Sequence, residues 1–339
     1  MNISKDNPLL TMFPPKENIA FSQLTNLDLQ ELIILLKSYL LELRTNLSLD
    51  NSVTFGLELE FERANALNVY NHFLNLTTKD DWLFKEDMSI KKGGELVSGI
   101  LKDTYDTWAS LTEICNFLKR YSKACQNTGG HIHLGSHILK TKEAWLNFLK
   151  LWSVYENILF RFSYNEHLDA RPAILAMAEP VANDFWQYSK DNNNTDLETI
   201  IYYLNSKKRG RAINFRNVSK EDNYTYKKRN TIEFRLPNGT LNPIIWQNNV
   251  NLFAKMLLYA NNSSFDHDIL DKRYEEVASI FTSLPLYKEI YLDQALEFCD
   301  LIFDNNLDKL NFLKQYLKNY KIARNNHSYS KTCSLTRRK

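Results

Sequence analysis

Phe55-Gly56-Leu57-Glu58-Leu59-Glu60-Phe61-Glu62 alternates apolar and polar residues without a break. Successive side chains on a β-strand leave opposite faces, with a period of two. In a strand over 53–62, Phe55, Leu57, Leu59 and Phe61 therefore share one face, and Gly56, Glu58, Glu60 and Glu62 share the other. Three acids at successive same-side positions are a poor fit to a solvated face, which usually mixes lysine with glutamate. Like charges that close repel unless cations lie between them.

The same pattern recurs downstream. Strands are expected over 82–90 and 95–100, with Gly93-Gly94 between them as a hairpin turn. Lys85, Asp87 and Ser89 fall on one side of the first, and the second brings Glu95. Over 130–134, His131 and His133 oppose Ile132 and Leu134; over 231–236, Glu233 and Arg235 oppose Ile232, Phe234 and Leu236. A further strand-like piece covers 212–218. Helical spacing marks 27–47, 64–76, 103–124, 141–163, 195–206 and most of the chain after Ile244. Residues 1–25 and the Pro-containing stretch between 163 and 195 read as irregular. This order lacks a regular βαβ rhythm and includes hairpins, so it predicts an α+β fold with a mainly antiparallel sheet. Helices cover the apolar face, and the opposite face collects carboxylates, two histidines and an arginine.

At 339 residues, with 44% hydrophobic, 24% charged and 13% aromatic residues, the chain can bury a sizeable core. Net charge is +2, which excludes general nucleic-acid attraction. The exception is the end of the chain, which carries no acid after Asp308 and finishes with Lys331, Arg337, Arg338 and Lys339. A solvated basic tail over 321–339 is expected, with contact to phosphate or an acidic partner as its alternative. Cys115, Cys125, Cys299 and Cys333 have neither metal-like nor redox-like spacing. No secretion signal opens the sequence, and the apolar run 32–43 is interrupted by Lys37 and Glu42 and is too short to span a membrane. A cytoplasmic protein without a membrane partner is expected.

Several carboxylates with an imidazole suit a hard divalent ion such as magnesium or manganese. A glycosidase pair would use two carboxylates and leave His131, His133 and Arg235 idle. A zinc hydrolase would use more histidine and fewer acids. Neither GxxxxGK[ST] nor GxGxxG is present, so any nucleotide must be held through metals and arginines.

Four pieces taken in order are distinctive: FGLELEFE at 55–62; 82–89 with Gly94-Glu95-Leu96-Val97-Ser98; Gly129-Gly130-His131-Ile132-His133-Leu134-Gly135; and RNTIEFRLPNGTLNP at 229–243. Together they resemble the amidoligase group of the glutamine synthetase and glutamate–cysteine ligase superfamily, over roughly 53–260. The resemblance implies a glutamine-synthetase-like catalytic domain over 51–262, preceded by a lead-in and helix over 1–50 and followed by a helical part over 263–320. It implies two or three magnesium (or manganese) ions holding ATP, with Glu58, Glu60, Asp87, Glu95, His131 and Glu233 as metal ligands. His133 would lie nearer the nucleotide, and Arg235 would steady the transferred phosphoryl group. Arg211, Asn214 and Arg216 fall where nucleotide or substrate contacts are made. The implied reaction is ATP-dependent joining of a carboxylate to an amine, with an amino acid, polyamine, peptide or protein side chain as partner. A lid over 207–228 is expected to exclude water from the acyl phosphate. Two alternatives stay open: a phosphotransferase of the same superfamily, and a non-catalytic binding protein that keeps the fold. Trp82, Trp152, Phe185 and Trp186 could line a substrate pocket, but their spacing fits core positions better.

Overall fold

A computed structural model describes residues 7–318 apart from 88, 89, 91, 126, 173, 193, 219–229 and 279–287. The strands form one antiparallel sheet: β1 (Phe55–Glu62), β2 (Trp82–Lys85), β3 (Gly93–Ser98), β4 (Gly130–Gly135), β5 (Ile213–Asn214) and β6 (Thr231–Phe234), in the order β2-β3-β1-β4-β6-β5. The quoted octapeptide is therefore a central strand, flanked by β3 and β4.

Its apolar face is the floor of the core. Leu57, Leu59, Phe61, Ile132, Leu134, Ile232 and Phe234 are fully buried. Three helices cover them: α4 (Tyr105–Tyr121), α5 (Lys142–Ser163) and α9 (Pro243–Ala260). Phe55 stacks on Trp108 of α4 at 5.4 Å, and Phe234 stacks on Phe253 of α9 at 4.3 Å. Helix α9 starts where the sequence says it must. Asn242 accepts from the Ile244 N–H, and Pro243 occupies the first helical position, where no N–H is needed.

The remaining helices are α1 (Pro8–Met12), α2 (Asn26–Ser38), α3 (Ala66–Phe73), α6 (Ile174–Met177), α7 (Ala182–Asp191), α8 (Leu197–Asn205), α10 (His267–Val277), α11 (Leu292–Ile302) and α12 (Asn306–Tyr316). One hydrophobic core runs from Leu9 to Leu317, so the first and last described helices and the sheet share it. Trp82, Trp152, Phe185 and Trp186 are buried in that core. Among the described residues no helix is long and apolar enough to cross a membrane.

Several expectations need correction. The lead-in 1–25, read as irregular, contains α1, where Asn7 caps the helix and Pro8 starts it, and the strand expected over 82–90 ends at Lys85. Gly93-Gly94 is not a turn: both residues lie in β3, opposite Glu62 and Phe61. A Cβ on Gly93 would meet the Phe61 carbonyl oxygen at 1.9 Å, so glycine is there for close backbone approach. The helix expected over 27–47 stops at Ser38. Beyond it the chain is held extended, because the Gln247 side chain bonds both the N–H and the carbonyl of Arg44. The strand expected over 212–218 shrinks to two residues. The stretch after 163, read as irregular, contains α6 and α7. The N-terminus of α7 has no side-chain cap of its own; instead Glu156 of α5 accepts from the N–H groups of Val181 and Ala182 at 2.7 and 3.1 Å. A cap supplied across space leaves no local sequence signal. Ser89, Arg229, the lid residues 219–228 and the tail 321–339 with Cys333 lie outside the described residues.

Candidate active site

Pairing register builds the site. Glu58 lies opposite His131, Glu60 opposite Glu95, Lys85 opposite Glu95, His133 opposite Glu233, and Glu233 opposite Asn214. All these side chains leave the sheet on the face away from α4, α5 and α9. Two glutamates directly opposed on neighbouring strands are destabilising unless something offsets their charge.

The face is not wet. Glu60, His131, Glu233 and Arg235 are each at most 5% exposed, so these are desolvated groups rather than a solvated sheet surface. Glu58 bridges both histidines: His131 Nδ1 lies 3.0 Å from Oε2 and His133 Nε2 3.0 Å from Oε1. Burial pushes the Glu58 carboxyl up, but hydrogen bonds from His131 and His133 outweigh it and hold the group well below the usual carboxylate range. Glu95 goes the other way. Burial and the neighbouring Glu58 push its carboxyl up to about 8, with Lys85 only partly opposing them. Burial raises Glu233 too, yet His131, Arg235 and His133 bring it below its ordinary value. Asn214 donates to Glu233 Oε2 at 2.6 Å, and Arg235 Nη1 donates to Glu233 Oε1.

These donors converge in three sets: Glu58, His133 and Glu233; Glu58, Glu95 and His131; and Glu60, Asp87 and Glu95. Within each set the ligating atoms lie within 4.8 Å of one another. Glu58 and Glu95 are each shared by two sets, so adjacent ions would be bridged. Oxygen donors with one imidazole per set, or none, fit magnesium or manganese. His131 Nε2 is buried and has no hydrogen-bond partner, as expected of a nitrogen kept for a ligand. The structure thus brings together Glu58, Glu60, Asp87, Glu95, His131, His133, Glu233 and Arg235. His133, expected to serve the nucleotide, also stands in a metal-capable set.

It does not bring in Arg211 or Arg216. Arg211 pairs with the exposed Asp184 of α7 at 2.8 Å. Arg216 is exposed and donates Nε to the Lys207 carbonyl. β5 spans only Ile213–Asn214, so Arg211 lies before it and Arg216 beyond it, and no strand pairing holds either on the site face.

A pocket of about 310 Å³ opens at the His133 end of the face, with Gly56, Leu57, Val97, Ile100 and Thr231 among its walls. At the other end lies a residue that the alternating pattern misses. Arg171, 3% exposed, follows α5 in the stretch read as irregular. Its backbone N–H is held by Asn238 Oδ1, and Nη2 donates to the Arg235 carbonyl at 2.6 Å. A residue outside periodic structure has no spacing by which to be found.

A family model described as "Putative amidoligase enzyme" matches residues 73–257, more than half of the chain. No curated protein matches it.

Proposed function

The chain belongs to the amidoligase family, and from that premise we propose an ATP- and magnesium-dependent carboxylate–amine ligase on a glutamine-synthetase-like sheet. The observation that carries the reading is the three overlapping donor sets beside Arg235 on one buried face. The Glu58, Glu60, Asp87, Glu95, His131, His133 and Glu233 side chains would hold two or three divalent ions. Such ions supply positive charge that offsets the phosphate oxygens and lowers the barrier to attack on phosphorus.

The protein's own groups do the rest. The pocket beside His133, with apolar walls from Leu57, Val97 and Ile100, takes the base and sugar of the nucleotide. Glu58 fixes the two imidazoles, and Asn214 and Arg235 fix Glu233, so the donors are oriented before substrate arrives. The acid's carboxylate oxygen attacks the γ-phosphorus and the bond to the ADP oxygen breaks. The resulting acyl phosphate is attacked by the amine, which loses a proton as the amide forms and phosphate leaves. Arg235 stabilises the charge that develops on the transferred group.

The test is ADP and phosphate release from magnesium-ATP, with a panel of acids and amines scored by mass spectrometry. A product lighter by one water than the acid–amine pair establishes the ligase. Phosphoryl transfer to one substrate without an amide points to a phosphotransferase instead. Absence of magnesium-ATP binding defeats the proposal.

A further inference from the structure

Arg171 is a buried cation that makes no salt bridge with any carboxylate among the described residues. Its Nη2 is used, but Nε and Nη1 are buried without a hydrogen-bond partner. Orphaned donors on a desolvated charge are costly, and native structures rarely keep them without a ligand to satisfy them. The guanidinium lies over Gly129, where a Cβ would come within 1.8 Å of Nη1 and 3.0 Å of His131 Nε2. That second nitrogen is the other orphaned atom of the site. The Gly129 N–H is itself bonded to Glu60 Oε2 at 2.5 Å. The orphaned Nη1 therefore lies at the edge of the acidic donor sets, and only glycine at 129 makes room for the guanidinium there.

Arg235 is less free than Arg171. Its Nε donates to the Met177 carbonyl and its Nη1 to Glu233. Burial lowers the Arg171 guanidinium to about 10, with Glu60 opposing and Arg235 reinforcing the shift, so it stays charged near neutrality.

We propose that Arg171 binds an oxygen of the transferred phosphoryl group through Nη1, the unpartnered donor nearest Gly129 and His131. Nη1 carries part of a delocalised positive charge, so its bond to a phosphate oxygen is charge-assisted and stronger than one between neutral groups. The inference rests on the ligase reading in naming the anion a phosphoryl group; the anion site itself stands on the orphaned donors. Arg171 thus supplies the charge at the Glu60 end of the site, while Arg235 supplies it beside Glu233.

The test titrates inorganic phosphate, and separately acetate, into the full-length wild-type protein, Arg171→Ala and Arg171→Lys. Calorimetry is run with magnesium alone and with magnesium-ADP. Arg171→Ala is expected to weaken phosphate binding at least tenfold and to leave magnesium-ADP affinity within twofold. Arg171→Lys keeps the charge but not the planar guanidinium that reaches over Gly129, and is expected to recover part of the loss. Should Arg171→Ala fail to fold, Arg171→Lys decides, with a threefold or greater weakening expected. Phosphate affinity unchanged in the folded variants overturns the proposal, as does a wild-type protein that binds phosphate in neither condition. A loss confined to acetate also overturns it, since the residue would then serve the substrate acid. A wild-type protein that binds phosphate but not magnesium-ADP defeats the ligase reading alone, and its phosphate titration still reports on Arg171.

Discussion

Glu60 and Glu95 face each other across two strands, and their environments set what each can do. Glu60 is buried and accepts the Gly129 N–H, so truncation to alanine would disturb the backbone as well as the charge. Glu60→Gln keeps the volume and an acceptor oxygen. It is expected to lower turnover by about 100-fold or more while the melting temperature changes little; near-normal turnover would remove Glu60 from the machinery. Glu95 gives a pH signature. Its carboxyl is raised from 4.5 to about 8, so folding is favoured by its proton below about 4.5 and that contribution is lost as pH rises through about 8. Without divalent cation, stability should therefore fall between those values. Added magnesium should restore it, and magnesium affinity should rise with pH across the same window. Melting curves with and without magnesium, on wild type and Glu95→Gln, check this; the glutamine variant should lose the window.

At the scale of elements, the junction of α5 with α6 and α7 is the sensitive one. Glu156 is fully buried and accepts from Trp152 Nε1 at 2.9 Å as well as from the two N–H groups that begin α7. Glu156→Ala leaves three buried donors unsatisfied. It should cost on the order of 3 kcal/mol or more, measured by denaturant unfolding. The same change should lower turnover in protein that remains folded, because the Met177 carbonyl just before α7 anchors Arg235. Full activity in a destabilised variant would show that the anchor does not matter. The sheet elements were legible in sequence because alternation is a local property. Helix α7 was not, because its cap comes from residue 156.

At the scale of the molecule, the segment 14–22 and the segment 300–309 clamp one another. Lys309 of α12, almost fully buried, pairs with Asp300 at 2.7 Å and donates to the Ile19 carbonyl at 2.8 Å. Asp300 in turn accepts from the N–H groups of Phe21 and Ser22, and Asn306 bonds both the Pro14 carbonyl and the Ile19 N–H. Lys309→Ala removes the centre of this clamp and leaves Asp300 without its cation. A loss of about 3 kcal/mol is expected, with the N-terminal 25 residues becoming the first segment cut by protease. A loss below about 0.5 kcal/mol would mark the pair as a surface-type bridge. A second chain of buried amides links α12 to the site. Gln315 donates to Asn249, Asn249 to Asn165, and Asn165 to the Asn238 carbonyl, while the Asn238 side chain holds Arg171.

The sequence alone determined which side chains share a strand face, because the period of two is fixed by the backbone of each strand. It therefore placed Glu58, Glu60, Glu95, His131, His133, Glu233 and Arg235 opposite the core before any strand was paired. It could not determine register, and register is what sets Glu60 against Glu95 and His131 beside Glu58. Nor could it tell that the polar face is desolvated, since burial depends on what the chain packs there from elsewhere. Arg171 reaches the site from an irregular stretch, and Arg211 and Arg216, on either side of the two-residue β5, bond elsewhere. Such placements are decided by contacts between residues far apart in the chain, and no local pattern encodes them.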